Sequence, residues 1–106
     1  MPEYTKQDSR TATILSSVGH PVRLKIVEIL GDQRMRMEDI AVQLGADNST
    51  KIWCHVKKLT DLGLISKSRA GKQVFYGLAD QEVCELVSIS RRITQIIQNG
   101  SLLVTW

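Results

Sequence analysis

Six cationic side chains are concentrated within residues 49–73, in the middle of the chain. Asp61 is the one carboxylate in that segment, so the segment carries a charge of +5 while the whole chain carries only +3. Positive charge gathered in this way is typical of a surface that binds the phosphates of a nucleic acid. The simpler alternative is a solvated cationic face on an ordinary helix. The six cations are Lys51, Lys57, Lys58, Lys67, Arg69 and Lys72.

The other side chains able to do chemistry are two cysteines and two histidines. Cys54 and Cys84 form neither a CxxC pair nor a disulfide framework, so we expect free thiols in a reducing compartment. Oxidation of Cys54, which lies among the lysines, would place a polar group against a bound nucleic acid. A thiol switch therefore stays open beside the simpler reading of two unreactive cysteines. For His55, a hydrogen-bonded structural role is favoured over metal binding or pH sensing.

The sequence shows no arrangement that is typical of an enzyme. We find no nucleophile paired with a base, no glycine-rich phosphate loop and no carboxylate cluster, so we expect neither catalysis nor a cofactor. A chain of 106 residues has room for one domain, with residues 1–5 and 100–106 as flexible tails. No apolar run approaches a membrane span and no secretory signal is evident at residues 1–10, so we expect a cytoplasmic protein without membrane contact.

Apolar spacing and helix-boundary residues predict three helices before the cationic segment. Residues 6–18 form an amphipathic helix, and Pro21 opens a second helix that ends at Gly31. A third helix begins near Glu38, whose charge matches the positive end of a helix, and Gly45 ends it after about two turns.

A fourth helix begins within the cationic segment and places its apolar side chains on one face. Asp47, Asn48 and Ser49 are each able to cap it. The inward face recurs at helical spacing and consists of Ile52, Val56, Leu59 and Leu62. The outward side carries Cys54, Lys57, Lys58 and Asp61. With the third helix and the tight turn between them, this helix makes a helix-turn-helix unit.

After the fourth helix the apolar pattern changes to the alternation of a β-hairpin. A strand begins at residues 64–65, residues 69–72 supply a turn, and the returning strand alternates at Val74, Tyr76 and Leu78. Asp80 then caps a last helix, residues 81–98, whose apolar stripe is wider than one small domain needs. The width of this stripe indicates packing against a second copy of the chain. The sequence therefore predicts a mainly α fold with a β-hairpin wing, which is a winged helix-turn-helix.

Two stretches of the sequence resemble the ArsR/SmtB family of repressors. VGHPVRLKIVEIL is similar to the second helix of that family, where a Pro-x-Arg-Leu-x-Ile core recurs. IWCHVKKLTDLGLISKSRAGKQVFYGL is similar to its recognition helix and wing, and the resemblance spans about residues 14–98. The chain departs from the family at Trp53, where a small residue such as Ser is usual, and in the connection GADNST, which is about one residue longer.

The resemblance implies a homodimeric repressor that is held together by its first and last helices. Its two recognition helices would enter successive major grooves of double-stranded DNA at an inverted-repeat operator, with half-sites roughly 34 Å apart. Ser49, Thr50 and Lys51, in the first turn of the recognition helix, would then read base edges.

The remaining cations of the segment would contact the DNA backbone. Lys57 and Lys58 would bind phosphates from the recognition helix. The wing would add Lys67, Arg69, Lys72 and Gln73, and Arg69 is also able to enter a minor groove. Trp53 either pads the edge of the core or lies against sugar and base; the core is slightly favoured because an indole buries a large apolar area.

The metal sites for which this family is known are not matched by the sequence. Where a Cys-x-Cys thiolate box would lie near the third helix, the chain reads RMRMEDIAVQL. In the last helix, Ile93 and Ile96 lie about where the distant ligands would be, and apolar side chains cannot bind Zn²⁺. We therefore expect a repressor without these metal sites, whose inducer (a small molecule, a redox signal or a metal) is unknown.

Two other functions stay open at this point. The fold is also able to serve as a protein-interaction module, which would dock a partner through the apolar tail at residues 102–106. The second alternative is a repressor that senses redox state or reactive sulfur through Cys54, Cys84 or both.

Overall fold

A computed structural model of the chain describes residues 3–45 and 49–100. Five helices and one hairpin follow in the order α1 Lys6–Val18, α2 Pro21–Leu30, α3 Met37–Gln43, α4 Ser49–Asp61, β1 Ile65–Ala70, β2 Gln73–Leu78 and α5 Gln81–Asn99. This order confirms the predicted mainly α fold with a β-hairpin wing. Within the described residues, no helix is long and apolar enough to cross a membrane.

Local capping chemistry sets the starts of three helices. The Thr5 hydroxyl accepts a hydrogen bond from the Asp8 backbone N–H at 3.0 Å, and the Asp8 carboxylate accepts one from the Thr5 N–H at 2.7 Å. This capping box gives Thr5 a defined role in α1, although the sequence assigned it to a flexible tail. His20 caps α2 through Nδ1, and Asp80 caps α5 as predicted. Residues 46–48, which include two predicted caps of α4, and the tail at 101–106 lie outside the described residues.

α2 is the central helix of the domain, because it packs against the other four helices and β2. The predicted inward face of α4 is confirmed: Ile52, Val56 and Leu59 are buried, and Leu62 packs against the core from its edge. Their partners across the core are fully buried aliphatic side chains of α2 and α3, namely Ile26, Val27, Leu30 and Ile40. One face of α4 is therefore buried against the core, and the opposite face is exposed to solvent.

The hairpin turn is shorter than the sequence predicted. β1 and β2 pair from Ile65 opposite Leu78 to Ala70 opposite Gln73. Arg69 and Ala70, which were predicted in the turn, therefore belong to β1. Only Gly71 and Lys72 connect the strands, and Gly71 has φ +63°. A positive φ at the first position of a two-residue turn is characteristic of type II′, whose twist matches that of the paired strands.

The second half of α5 extends beyond the domain. Val83 and Val87 in its first half are buried, whereas every residue from 88 to 100 is exposed. Where α5 leaves the domain, the Arg91 guanidinium donates two hydrogen bonds of 2.9 Å to the Glu28 carboxylate of α2. This paired contact fixes the direction in which the exposed half of α5 projects.

Candidate nucleic-acid interface

The exposed face of α4 carries the predicted contact residues. Thr50, Lys51, Cys54, Lys57 and Lys58 are all exposed, as the inward position of the apolar face requires. Ser49 begins the helix, but its side chain lies outside the described part of the structure. The structure therefore places the predicted recognition residues together on one helix, whose opposite face is buried against the core.

Lys57 has an ion-pair partner that the sequence analysis overlooked. Its ammonium donates to the Asp61 carboxylate at 2.9 Å, one helical turn further on. The i, i+4 spacing of the two residues is the signal that predicts such a pair. A phosphate must compete with Asp61 for this ammonium. Lys58, which has no ion pair with another described residue, is therefore the more readily available cation of the two.

The hairpin brings its cations alongside α4. Lys67, Arg69, Lys72 and Gln73 are exposed, and β1 packs directly against α4. Two cavities lie beside this contact, between Trp53 of α4 and the hairpin. The smaller, of about 150 Å³, is lined by residues that include Trp53, Lys57 and Lys67. The larger, of about 310 Å³, is lined by residues that include Trp53, Lys72 and Arg36. We name this pair of cavities the wing cleft, with Trp53 and Tyr76 common to both.

Trp53 is not a core residue, and the slight preference for the core was wrong. Its side chain is 47 % exposed. The reason is geometric: Ile52 occupies the inward face, and the next residue of an α-helix is turned about 100° away from it. Position 53 therefore faces the hairpin, where the indole separates the two cavities of the wing cleft.

The hairpin is fastened to the helix-turn-helix unit by Arg34, a residue that the sequence analysis missed. Its guanidinium donates to the hydroxyls of Ser66 and Ser68 and to the Ser66 carbonyl, each at 3.1 Å. Next to it, Met35 and Tyr76 exchange two backbone hydrogen bonds of 2.8 Å. A glycine inside a strand often marks the close approach of another group. Gly77 is therefore the feature of the sequence that could have indicated a contact at this point of the hairpin. A Cβ at position 77 would lie 2.9 Å from the Arg34 guanidinium.

His55 is a hydrogen-bonded structural histidine, as the sequence favoured. Its Nδ1 accepts a hydrogen bond from Nε of Arg23 at 3.2 Å, and its ring lies 4.7 Å from the ring of His20. Partial burial lowers the pKa of His55, and the neighbouring positive groups of His20 and Arg23 lower it further. The neutral imidazole is therefore the form that joins α4 to the start of α2.

The two cysteines occupy different environments. Cys54 is exposed on the outward face of α4, whereas Cys84 is partly buried and packs against the core from α5. Both are free thiols. Among residues 3–45 and 49–100, no three His, Cys, Asp or Glu side chains are grouped so that they could hold a metal ion.

No protein-family model matches this chain. Several individual proteins are nevertheless similar to it in sequence. The biofilm growth-associated repressor of Xylella fastidiosa is 27 % identical over 93 residues, which cover 83 % of this chain and 81 % of that protein. A probable mercury resistance operon repressor of Streptomyces lividans is 30 % identical over 82 residues, which cover 76 % of this chain and 64 % of that protein.

Solved structures share the fold. The crystal structure of the transcriptional repressor BigR from Xylella fastidiosa has a TM-score of 0.72 at 25 % identity, covering 85 % of this chain and 96 % of that one. A homodimeric winged helix-turn-helix DNA-binding domain of a possible ArsR-family regulator from Mycobacterium bovis has a TM-score of 0.73 at 21 % identity, covering 90 % and 91 %. Together with the motifs in α2, α4 and the hairpin, these similarities show a DNA-binding winged helix-turn-helix regulator that is similar to transcriptional repressors and to regulators of the ArsR family.

Proposed function

We propose that this protein is a transcriptional repressor that binds an inverted-repeat operator as a homodimer. The observation that supports this best is the convergence of cations from two elements on the wing cleft. Lys57 comes from α4, and Lys67 and Lys72 come from the hairpin, yet all three line cavities that meet at Trp53. A duplex placed across this cleft would have its backbone phosphates within reach of all three side chains.

The first turn of α4 is the part of the interface that we expect to read sequence. This turn contains Ser49, Thr50 and Lys51. The N-terminal turn of a recognition helix is the end that contacts base edges. Cys54 lies one turn further on the same exposed face. Lys58 from the helix, with Arg69 and Gln73 from the wing, would contact the backbone and position the helix without reading sequence.

The homodimer is proposed to form through α1 and α5. Ile89, Ile93 and Ile96 recur on one face of the projecting half of α5 and are 46 %, 51 % and 69 % exposed. Leu15 of α1 is also half exposed. Exposure of such a row of apolar side chains to water is unfavourable. Pairing of two protomers about a two-fold axis would bury the row of both copies. The similar domain from Mycobacterium bovis is itself described as homodimeric.

A regulator is favoured over the other functions that the sequence left open. The similar curated proteins are repressors and regulators, which argues against an enzyme. The apolar tail required for a protein-docking module lies outside the described residues. A repressor acts where the chromosome is, so we place the protein in the cytoplasm. Its inducer is unknown, and neither of the family's usual metal sites is present in the sequence.

The proposal is tested by measuring affinity for duplex DNA from the region upstream of the protein's own gene at several salt concentrations. Each phosphate that the protein neutralises should contribute about −0.9 to the slope of log K against log salt. Replacing Lys58 with Gln should reduce that slope by about one phosphate contact. The control is Lys25→Gln, which removes the same charge from α2 and should leave the slope unchanged. Absence of binding at low salt would overturn the proposal.

The same assay can identify the inducer class. Preformed protein–DNA complex would be exposed separately to peroxide, to polysulfide and to a series of divalent metal ions, with reduced protein as the reference. Release of DNA under one of these conditions names the class of signal. Release by peroxide or polysulfide that Cys54→Ser abolishes would assign the response to that thiol.

A further inference from the structure

Trp53 places a large apolar surface where a DNA-binding face is otherwise charged and polar. On α4 it lies three residues after Thr50 and four before Lys57, so all three share one stripe of the helix. About half of the indole is exposed, and neither the core nor the hairpin covers that half. The exposed half of the indole therefore lies between two residues that are proposed to contact DNA.

The surroundings of Trp53 alternate between positive and apolar groups. The charged residues of the smaller cavity are Lys57, Lys67 and Asp61. Those of the larger cavity, on the other side of the indole, are Arg36, Lys72 and Glu38, so cations outnumber carboxylates in both cavities. Tyr76, which is 8 % exposed, closes the bottom of both cavities. The wing cleft is therefore a channel with a net positive lining and an aromatic floor, open towards the solvent.

We propose that the wing cleft seats one strand of the DNA duplex and that Trp53 packs against a deoxyribose of that strand. A DNA strand alternates charged phosphates with apolar sugar faces, and the cleft has the same alternation. The lysines on both walls would bind consecutive phosphates, and the indole would cover the sugar between them. This inference rests on the proposed function, and it assigns to Trp53 an affinity-determining role in place of the small residue usual at this position.

The physical signature of such a contact differs from that of a lysine. Burial of apolar surface releases no counterions from the DNA, so the contribution of Trp53 should not depend on salt. The contribution of a lysine that binds a phosphate should fall as salt rises. Affinity measured against salt therefore separates the two kinds of contact within one interface.

The first experiment uses Trp53 as its own reporter. The chain has two tryptophans, and Trp106→Phe leaves Trp53 as the sole indole. This variant is titrated with fluorophore-labelled duplex, so that DNA anisotropy reports binding while indole emission reports the environment of Trp53. A change in emission that saturates together with the anisotropy supports the proposal. Anisotropy that rises with no change in emission overturns it and leaves the repressor function intact. No change in anisotropy would instead remove the proposed function itself.

The second experiment measures the energetic role. Trp53→Ala should weaken binding by about tenfold at every salt concentration without changing the salt slope, and Trp53→Phe should retain most of the affinity. Lys67→Gln should instead lower the slope by about one phosphate contact. Val42→Ala is the matched control, because Val42 is an exposed apolar residue of α3 that does not line the wing cleft. Wild-type affinity in Trp53→Ala would overturn the proposal.

A third measurement distinguishes the sugar from the other apolar surface of DNA, the thymine methyl group. Deoxyuridine in place of every thymidine of the duplex removes the methyl groups and keeps each deoxyribose. The proposal expects the ratio of wild-type to Trp53→Ala affinity to stay the same on both duplexes. A ratio that falls to about one on the deoxyuridine duplex would overturn the sugar contact and move Trp53 into base readout.

Discussion

Nε of Arg23 donates a hydrogen bond to Nδ1 of His55 at 3.2 Å, and this bond joins the first turn of α2 to the middle of the recognition helix. The ring of His20, which caps α2 through its own Nδ1, packs on the other side at 4.7 Å. Nδ1 of His55 accepts the hydrogen bond from Arg23, so the neutral His55 ring carries its proton on Nε2. Protonation of His55 would remove the acceptor and place a second positive charge beside that of Arg23.

This arrangement predicts that stability falls in mildly acidic solution. The pKa of His55 is lowered from 6.5 in the folded protein, chiefly by burial. Above pH 6.5 the imidazole is neutral in both states. As pH falls below 6.5, the unfolded chain binds the proton first, so the free energy of unfolding decreases. Urea unfolding at pH 8, 7, 6 and 5 should show this decline.

A glutamine at position 55 keeps a polar side chain that does not titrate. His55→Gln should therefore show a smaller decline between pH 7 and pH 5 than the wild type, even if it is less stable throughout. The control is His20→Asn, which preserves an N-cap side chain for α2 while removing the neighbouring imidazole. Parallel curves for wild type and His55→Gln would contradict the assignment of this titration to His55.

The close approach of Arg34 and Gly77 predicts that a side chain at position 77 destabilises the protein. Gly77→Ala would place a Cβ 2.9 Å from the Arg34 guanidinium and 3.3 Å from the Gln33 carbonyl. We expect a loss of about 1–2 kcal/mol in the free energy of unfolding, measured in urea, because the arginine or the strand must move.

The clash between positions 34 and 77 is testable by a double-mutant cycle. Shortening Arg34 to Ala should cost stability alone but should recover part of the loss in the Gly77→Ala background, because the flexible clashing group is gone. Strictly additive losses would show that the two positions are not coupled.

The row of isoleucines on α5 predicts that one charge in each protomer is enough to dissociate the proposed dimer. Ile93→Glu should give a monomer by sedimentation velocity at concentrations where the wild type is dimeric, because a carboxylate would be buried without a partner at the interface. Val42→Glu is the matched control: Val42 is 76 % exposed on α3, away from the proposed interface, and this variant should stay dimeric. A dimeric Ile93→Glu protein would place the interface elsewhere.

The environments of the two cysteines predict a difference in their alkylation. Cys54 is exposed on α4 and Cys84 is partly buried, so iodoacetamide should modify Cys54 first, as followed by mass spectrometry of peptides. Bound DNA should slow the modification of Cys54 and leave Cys84 unaffected, since α4 is the proposed recognition helix. Equal protection of both thiols, or of neither, would argue against this orientation on DNA. Cys54→Ser identifies the peptide that reports the site.

The sequence alone determined the elements of this protein and the faces that they present. The cap at Asp80 and the helical spacing of Ile52, Val56 and Leu59 act through neighbours a few residues away along the chain. β2 forms where it was predicted, but its burial does not alternate, because Tyr76, Gly77 and Leu78 are all buried. The cap at Asp80 and the inward face of α4 are local features, and they were predicted correctly. The concentration of cations in residues 49–73 likewise needed no structure to indicate a phosphate-binding surface.

Only the tertiary structure decided the relationships between elements. Trp53 is half exposed because the hairpin stands off from α4 and leaves a cleft, and Arg34 reaches β1 because the loop before α3 pairs with Tyr76. The contact between Arg23 and His55 joins residues 32 positions apart. Such contacts depend on the angles and distances at which helices and strands pack, and these are set by the whole core at once rather than by the spacing of residues within one segment.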